Sequence, residues 1–234
     1  MTTPEGSKYQ ELKQEYDNFV YVTSHDLKAP LRQIRSFMSL FLDSLDVEFN
    51  DDQMLYKNMM MECVDDADII INSLHEYSKV KETPKGITQF PISEVYNDAI
   101  QKLSEQISDK NAGISCQAGD ITLNADKELI TKIFYHLIEN AIKFHKENAP
   151  PIIHVSIAKD SGYVAITVKD NGIGLPPEKA DMATTILKKL HPKDQYDGNG
   201  LGLAIVKKIV SIYRGSLEFS ENENGGTIVT AKIK

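Results

Sequence analysis

The 234-residue chain reads as α+β: an N-terminal antiparallel helical hairpin followed by an α/β sandwich with a mixed sheet. Three observations predict it. From Lys8 to Leu45 there is no glycine and a single proline, Pro30, and apolar residues recur at steps of three and four. A second run of the same period follows a short polar break. Beyond Gly86, helical periodicity alternates with short β-branched runs, the pattern of helices laid over a sheet.

In the first run Leu27, Leu31, Ile34, Met38, Phe41 and Leu45 form a seam of the kind that packs helix on helix. Asp46 to Asp52 breaks it, and Tyr56, Met59, Cys63, Ala67, Ile70, Leu74 and Tyr77 form a second seam. Two such helices make a hairpin that cannot cover both seams alone, so a homodimeric four-helix bundle is expected. Tyr9, Leu12 and Tyr16 suggest a coiled coil continuing from an upstream sensor domain, with the chain a fragment of a larger protein. Pro30 cannot donate to the carbonyl of Asp26 and should bend the first helix one turn after His25.

Lys81-Glu82-Thr83-Pro84-Lys85-Gly86 reads as a hinge. The expected domains are 1–82, a linker at 83–90, and 91–234. After the hinge come a strand near Thr88 to Phe90, a helix from about Ser93 to Ser108, and strands at Ile114 to Gln117 and Ile121 to Leu123. Asp126 caps an amphipathic helix, and further strands are expected at Ile152 to Ala158, Tyr163 to Val168, Ser216 to Phe219 and Thr227 to Ile233.

The totals narrow the function classes. With 26 basic and 34 acidic residues the net charge is −8, which speaks against a general nucleic-acid or anionic-membrane binder. No apolar run approaches a membrane span, and the first residues lack a signal-peptide pattern, so the chain reads as cytoplasmic. Cys63 and Cys116 lack metal spacing and read as reduced structural thiols.

Two glycine turns carry the chemistry. Asp170-Asn171-Gly172-Ile173-Gly174 leaves the alternating strand Tyr163 to Val168, and Asp197-Gly198-Asn199-Gly200-Leu201-Gly202-Leu203 opens an apolar helix running to about Tyr213. Glycines admit positive φ and close backbone approach, and a helix N-terminus favours an anion, so a nucleotide fits between them. Gly198-x-Gly200-x-Gly202 is neither a G-x-G-x-x-G fingerprint nor a P-loop. Taken together, these turns resemble the ATP-binding domain shared by sensor histidine kinases, gyrase, Hsp90 and MutL.

Two further stretches support that resemblance. Ser24-His25-Asp26-Leu27-Lys28-Ala29-Pro30-Leu31-Arg32 resembles the H-box of sensor histidine kinases, and His136-Leu137-Ile138-Glu139-Asn140-Ala141-Ile142-Lys143-Phe144 their N-box. The resemblance implies that His25 is the phosphoacceptor and that Asp26 assists it. It implies that Asn140 ligates a Mg²⁺ on the phosphates of ATP, Lys143 meets phosphate charge, and Phe144 lies against the nucleotide. Asp170 would select adenine, with Gly172 and Gly174 beside the base, Gly198, Gly200, Leu201 and Gly202 around the triphosphate, and Thr227 near the adenine. The implied protein is an autophosphorylating histidine kinase that passes its phosphoryl group to an aspartate on a response regulator receiver domain.

The residues themselves are chemically suited to these roles. An unperturbed imidazole titrates near ~6.5 and is mostly neutral at cytosolic pH, leaving a nucleophilic nitrogen, and a carboxylate can fix its tautomer. Neighbours at i and i+1 do not face each other on a regular helix, so the contact of Asp26 with His25 depends on rotamers. A carboxamide oxygen suits Mg²⁺, and Asn140 and Lys143, three apart, share a helix face.

Three positions depart from the family pattern. Ala29 stands where many members carry Thr or Asn, which implies weak phosphatase activity. His136 replaces the usual Asn, or the water-activating carboxylate of the ATPases, and Glu139 is expected about one residue off its direction. The nucleotide lid, Leu175 to Asp197, has no Phe in Met182-Ala183-Thr184-Thr185-Ile186-Leu187. These departures keep two rival readings open, an ATP-binding signalling scaffold (a pseudokinase) and an ATPase of the same fold.

Overall fold

The computed structural model describes residues 4–45, 48–80, 84, 86–188, 200–223 and 225–234. It divides into two compact units, Met1–Lys79 and Val80–Lys234.

The first unit is a helical hairpin of α1 (Pro4–Ser44) and α2 (Asp51–Lys79). Asn50 and Gln53 exchange reciprocal bonds that close the start of α2: Gln53 N donates to Asn50 Oδ1 at 2.9 Å, and Asn50 N to Gln53 Oε1 at 3.0 Å. Arg35 ties the two helices together, reaching Asp65 at 2.6 Å and Asp68 at 2.8 Å. α1 is assigned helical through Pro30 without a break.

The seams behave as two half-seams. Leu31 and Met38 are half-buried, whereas Leu27, Ile34 and Phe41 stand 46%, 54% and 62% exposed. On α2 the buried apolar residues are Val64 and Ile71, each one position beyond Cys63 and Ile70 of the expected seam. Tyr56, Met59, Cys63 and Ile70 remain exposed. The outward half is therefore apolar surface that a single chain does not cover.

The second unit is the sandwich. β1 (Ile87–Pro91) pairs antiparallel with β3 (Thr122–Asp126), placing the stretch from Ile87 onward inside this unit. The larger sheet holds β2 (Gly113–Ala118), β4 (Ile152–Asp160), β5 (Tyr163–Asp170), β6 (Ser216–Glu221) and β7 (Thr227–Ile233) in the order β2-β4-β5-β7-β6. β2 and β4 run parallel and the other pairs antiparallel, so the sheet is mixed as expected.

α3 (Ile92–Lys102), α5 (Lys127–Lys143) and α7 (Gly202–Ile212) supply the apolar cover. The expected helix from Ser93 to Ser108 is divided at the fully buried Leu103, after which α4 (Ser104–Asp109) begins. Ile153, Val155, Ile157, Ile166, Val168, Ala231 and Ile233 are the buried side of the sheet, alternating with Ser115, His154, Ser156, Thr167 and Thr230 on the other. Cys63 and Cys116 are free and exposed, not the structural thiols their isolation predicted. Among the described residues no helix is long and apolar enough to cross a membrane.

Candidate active site

His25 lies on α1 with its side chain 69% exposed, and its Nδ1 is 3.1 Å from Asp26 Oδ1. The adjacent side chains do meet: solvent exposure leaves both free to choose the rotamers that close the gap. With Asp26 ionised, Nδ1 carries the proton and donates, which puts the lone pair on Nε2. Ala29 is exposed one turn on.

In the second unit, Asp126 caps α5 as predicted, accepting from the backbone N–H groups of Glu128 and Leu129. Tyr213 Oη accepts the Asp126 N–H at 2.9 Å, tying the start of α5 to the end of α7. This fixes the helix that carries the N-box. Leu137, Ile138, Ala141 and Ile142 are buried, and Glu139, Asn140 and Lys143 are left half-buried along its other side.

Gly202, at the start of α7, faces that side. A Cβ there would lie 3.4 Å from His136 Nδ1 and 3.5 Å from Asn140 Nδ2, so the glycine lets the helix start approach the N-box. Leu201, at the N-cap of α7, offers no side-chain cap, which leaves the helix start suited to an anion. Gly200 has φ +68, and a Cβ there would sit 2.5 Å from the carbonyl of Lys188. Leu201 is buried. Gly198 lies outside the described residues, as do positions 189–197 of the expected lid. Met182 and Leu187 in its described part are 39% and 40% exposed.

Asn140 Nδ2 is buried with no hydrogen-bond partner, a state that costs about 1–3 kcal/mol and calls for a ligand or water. The NH₂ donor itself suits a phosphate oxygen and cannot ligate a cation; a Mg²⁺ would take the other end of the amide, with Asn140 Oδ1 as one ligand and phosphate oxygens and water as the rest.

His136 is buried and its Nδ1 is 3.4 Å from Glu139 Oε2, while Tyr135 Oη donates to Glu139 Oε1 at 3.0 Å. Glu139 thus does not point away from His136. The two are three residues apart and share a helix face. Lys143 Nζ lies 4.6 Å above the Phe144 ring.

At the other end of the cleft Asp170 is held firmly. Its Oδ1 accepts the N–H of Gly172 at 2.8 Å and of Thr227 at 3.1 Å, and its carbonyl accepts from Asn222 Nδ2 at 2.7 Å. Phe144 at the end of α5 accepts the Ile173 N–H at 3.0 Å, so the N-box and the first glycine turn are laced together. A Cβ at Gly172 would overlap the Phe144 carbonyl, and one at Gly226 the Asp170 carbonyl. Gly174, at φ +86, faces the Gly226 carbonyl. Burial pushes the Asp170 carboxyl above the ordinary range, against the two backbone N–H groups and the nearby Lys146 ammonium, which favour its charge.

Asn222 and Lys146 are two residues of this end that sequence reasoning missed. Asn222 immediately precedes the Glu-Asn-Gly-Gly turn, the one local signal that pointed to it.

Two family models match the chain: the His Kinase A (phospho-acceptor) domain over residues 15–83, and the histidine kinase-, DNA gyrase B- and HSP90-like ATPase over residues 125–234. The chain belongs to the histidine kinases. It is 32% identical to cyanobacterial phytochrome A of Nostoc sp. over 207 residues, covering 87% of this chain and 26% of that one. It is 26% identical over 215 residues to the methanogenesis regulatory histidine kinase FilI of Methanothrix harundinacea, covering 92% of this chain and 24% of that one. The chain therefore spans about a quarter of the length of these relatives. In fold, this histidine kinase chain resembles full-length ShkA in complex with AMPPNP (TM-score 0.65, 19% identity, 92% of this chain and 45% of that one). It also resembles the Acinetobacter baumannii histidine kinase AdeS (TM-score 0.60, 18% identity, 90% and 97%).

Proposed function

We propose that the chain binds Mg-ATP in the cleft between Asn140 and Asp170, phosphorylates His25, and passes the phosphoryl group to an aspartate of a response regulator. The observation that carries the reading is the buried Asn140 Nδ2, a donor without a hydrogen-bond partner, beside Gly202 at the start of α7. In this reading the hairpin is the dimerising phosphoacceptor domain, the expected linker 83–90 shortens to the residues before β1, and the unit from β1 onward is the catalytic domain, acting in the cytoplasm beneath a sensor.

Each residue then has a task. Asp170 accepts the adenine amino proton, and Gly172, Gly174 and Thr227 let backbone line the base. Gly198, Gly200, Leu201 and Gly202 line the triphosphate, with Lys143 and the dipole of α7 favouring its charge. Asn140 Oδ1 would hold a Mg²⁺ together with the nucleotide, and the ion would supply neutralisation of phosphate charge. Asp26 holds the Nδ1 proton of His25, so Nε2 attacks the γ-phosphorus as its bond to the ADP oxygen breaks. The exposed apolar half-seams, Leu27, Ile34 and Phe41 with Tyr56, Met59 and Ile70, form the core of a homodimer.

The test is incubation with γ-labelled ATP and Mg²⁺, comparing the chain with His25→Gln. Acid-labile, alkali-stable label that vanishes in the variant is expected. ATP binding without label sinks the kinase reading in favour of a scaffold. The Ala29 methyl cannot orient a water, so the chain should not accelerate loss of phosphate from a purified phospho-regulator without ADP; acceleration of severalfold would overturn that.

A second reading, ATP hydrolysis, gains support from the Glu139 carboxylate against His136, since a polarised imidazole beside Asn140 is a candidate base. Phosphate release without phosphoprotein in the same assay would favour it.

A further inference from the structure

A second histidine stands on the flank of the phosphoacceptor. The His75 ring, on α2, stacks on Tyr21 of α1 with centroids 5.1 Å apart and planes at 23°. Tyr21 is four residues before His25, so Tyr21, His25, Lys28 and Arg32 lie along one side of α1. Lys79 follows His75 by one turn of α2. The ring is half-buried, with Nδ1 fully covered and without a hydrogen-bond partner. Asp26 is engaged with His25, and among the described residues no carboxylate pairs with the His75 ring. Its neighbourhood is cationic in a chain of net charge −8.

We propose that His75 is the charge-compensating residue of the phosphoacceptor site, neutral while His25 is bare and taking up a proton when His25 carries a phosphoryl group. The proposal rests on the reading of His25 as phosphoacceptor. Burial holds the His75 imidazole below its ordinary range, and the charges of Lys28, Lys79 and His25 push it further down, with Glu76 alone opposing. At neutral pH it is therefore uncharged, an apolar shelf for Tyr21. Phosphorylation bonds the phosphorus to the Nε2 lone pair and puts a group carrying close to two negative charges on the ring. The electrostatics around His75 then reverse, and the field that had favoured the neutral ring favours the imidazolium. Imidazole is the side chain of this cluster whose charge changes near neutral pH, so His75 is the member that can follow the state of His25. A positioning role of this kind ties the lifetime of the phosphohistidine to pH without His75 touching the reacting atoms.

The direct test is to follow the His75 imidazole C–H resonance of the whole chain from pH 5 to 8 by NMR, assigned by its disappearance in His75→Gln, before and after phosphorylation. The phosphoryl group is introduced by ATP, and in parallel by phosphoramidate, a small-molecule donor that bypasses the nucleotide site, with its location on His25 checked by mass mapping. The titration midpoint of His75 is expected to move to higher pH in the phosphorylated protein. Below that midpoint the label should outlast that of folded His75→Gln by about threefold, the order of effect that partly exposed charge pairs supply. A midpoint that stays put or falls on phosphorylation overturns the proposal. Failure of ATP to label His25 would sink the kinase reading alone, since the phosphoramidate arm still reports on His75.

Discussion

Replacement of Asp170 by Asn separates ligand recognition from folding. Oδ1 is already occupied by the Gly172 and Thr227 N–H groups, and Oδ2 has no partner among the described residues. An amide keeps the Oδ1 acceptor and puts an NH₂ where Oδ2 stood, so the loop survives while a donor now faces the adenine amino group. The loss is that of a hydrogen bond to a charged acceptor, about 1.5–3 kcal/mol, or roughly 10- to 150-fold in Kd at 1.4 kcal/mol per tenfold. Folding should respond the other way. The folded-state carboxyl is raised, chiefly by burial, so the stability it contributes is present below the unfolded value and lost as pH rises through the folded one. At pH 7 the ionised carboxylate is therefore a net cost of folding that Asn relieves. Calorimetric titration with ATP and thermal melting without nucleotide read the two effects. The expected result is much weaker ATP binding with a melting temperature unchanged or higher. Wild-type affinity should also fall as pH drops through the raised carboxyl, while the variant's stays flat. A variant that binds ATP within twofold of wild type would refute the assignment of Asp170 to the base. One that melts markedly lower would show that the charge, not the acceptor, holds the loop.

Gly226→Ala places a Cβ against the Asp170 carbonyl at φ +98, where neither backbone can give way. A destabilisation of about 1–3 kcal/mol with loss of ATP binding is expected, and a melt and titration indistinguishable from wild type would show the turn to be plastic. Ile34→Glu puts a charge into the exposed half-seam; sedimentation should then show dissociation of the dimer with helix content retained, and an unchanged dimer mass would relocate the interface.

What sequence could read was set by how local each determinant is. The Asp126 cap, the strand periodicity and the first glycine turn are decided within a few residues of themselves, and they stand as expected in the described chain. The His25–Asp26 contact is local too, yet it depended on rotamers that residue spacing leaves open. The α2 packing face was misread for a different reason. Val64 and Ile71 repeat every seven residues just as Cys63 and Ile70 do, so periodicity alone offers two adjacent stripes and does not say which meets α1. The break at Leu103 was hidden because no glycine or proline marks it, and only burial of Leu103 in the core shows why the chain turns there. The tightest part of the site is the least local. Asn222 reaches Asp170 across 52 positions and Tyr213 reaches Asp126 across 87. Such bonds exist only once the sheet has brought β5 beside β7 and α7 beside α5. The sequence names the groups that a nucleotide would meet, and the fold supplies those that hold them still. Variants at Asn222 and Tyr213 therefore act on affinity through the position of Asp170 and of α5, without either side chain being readable as part of a motif.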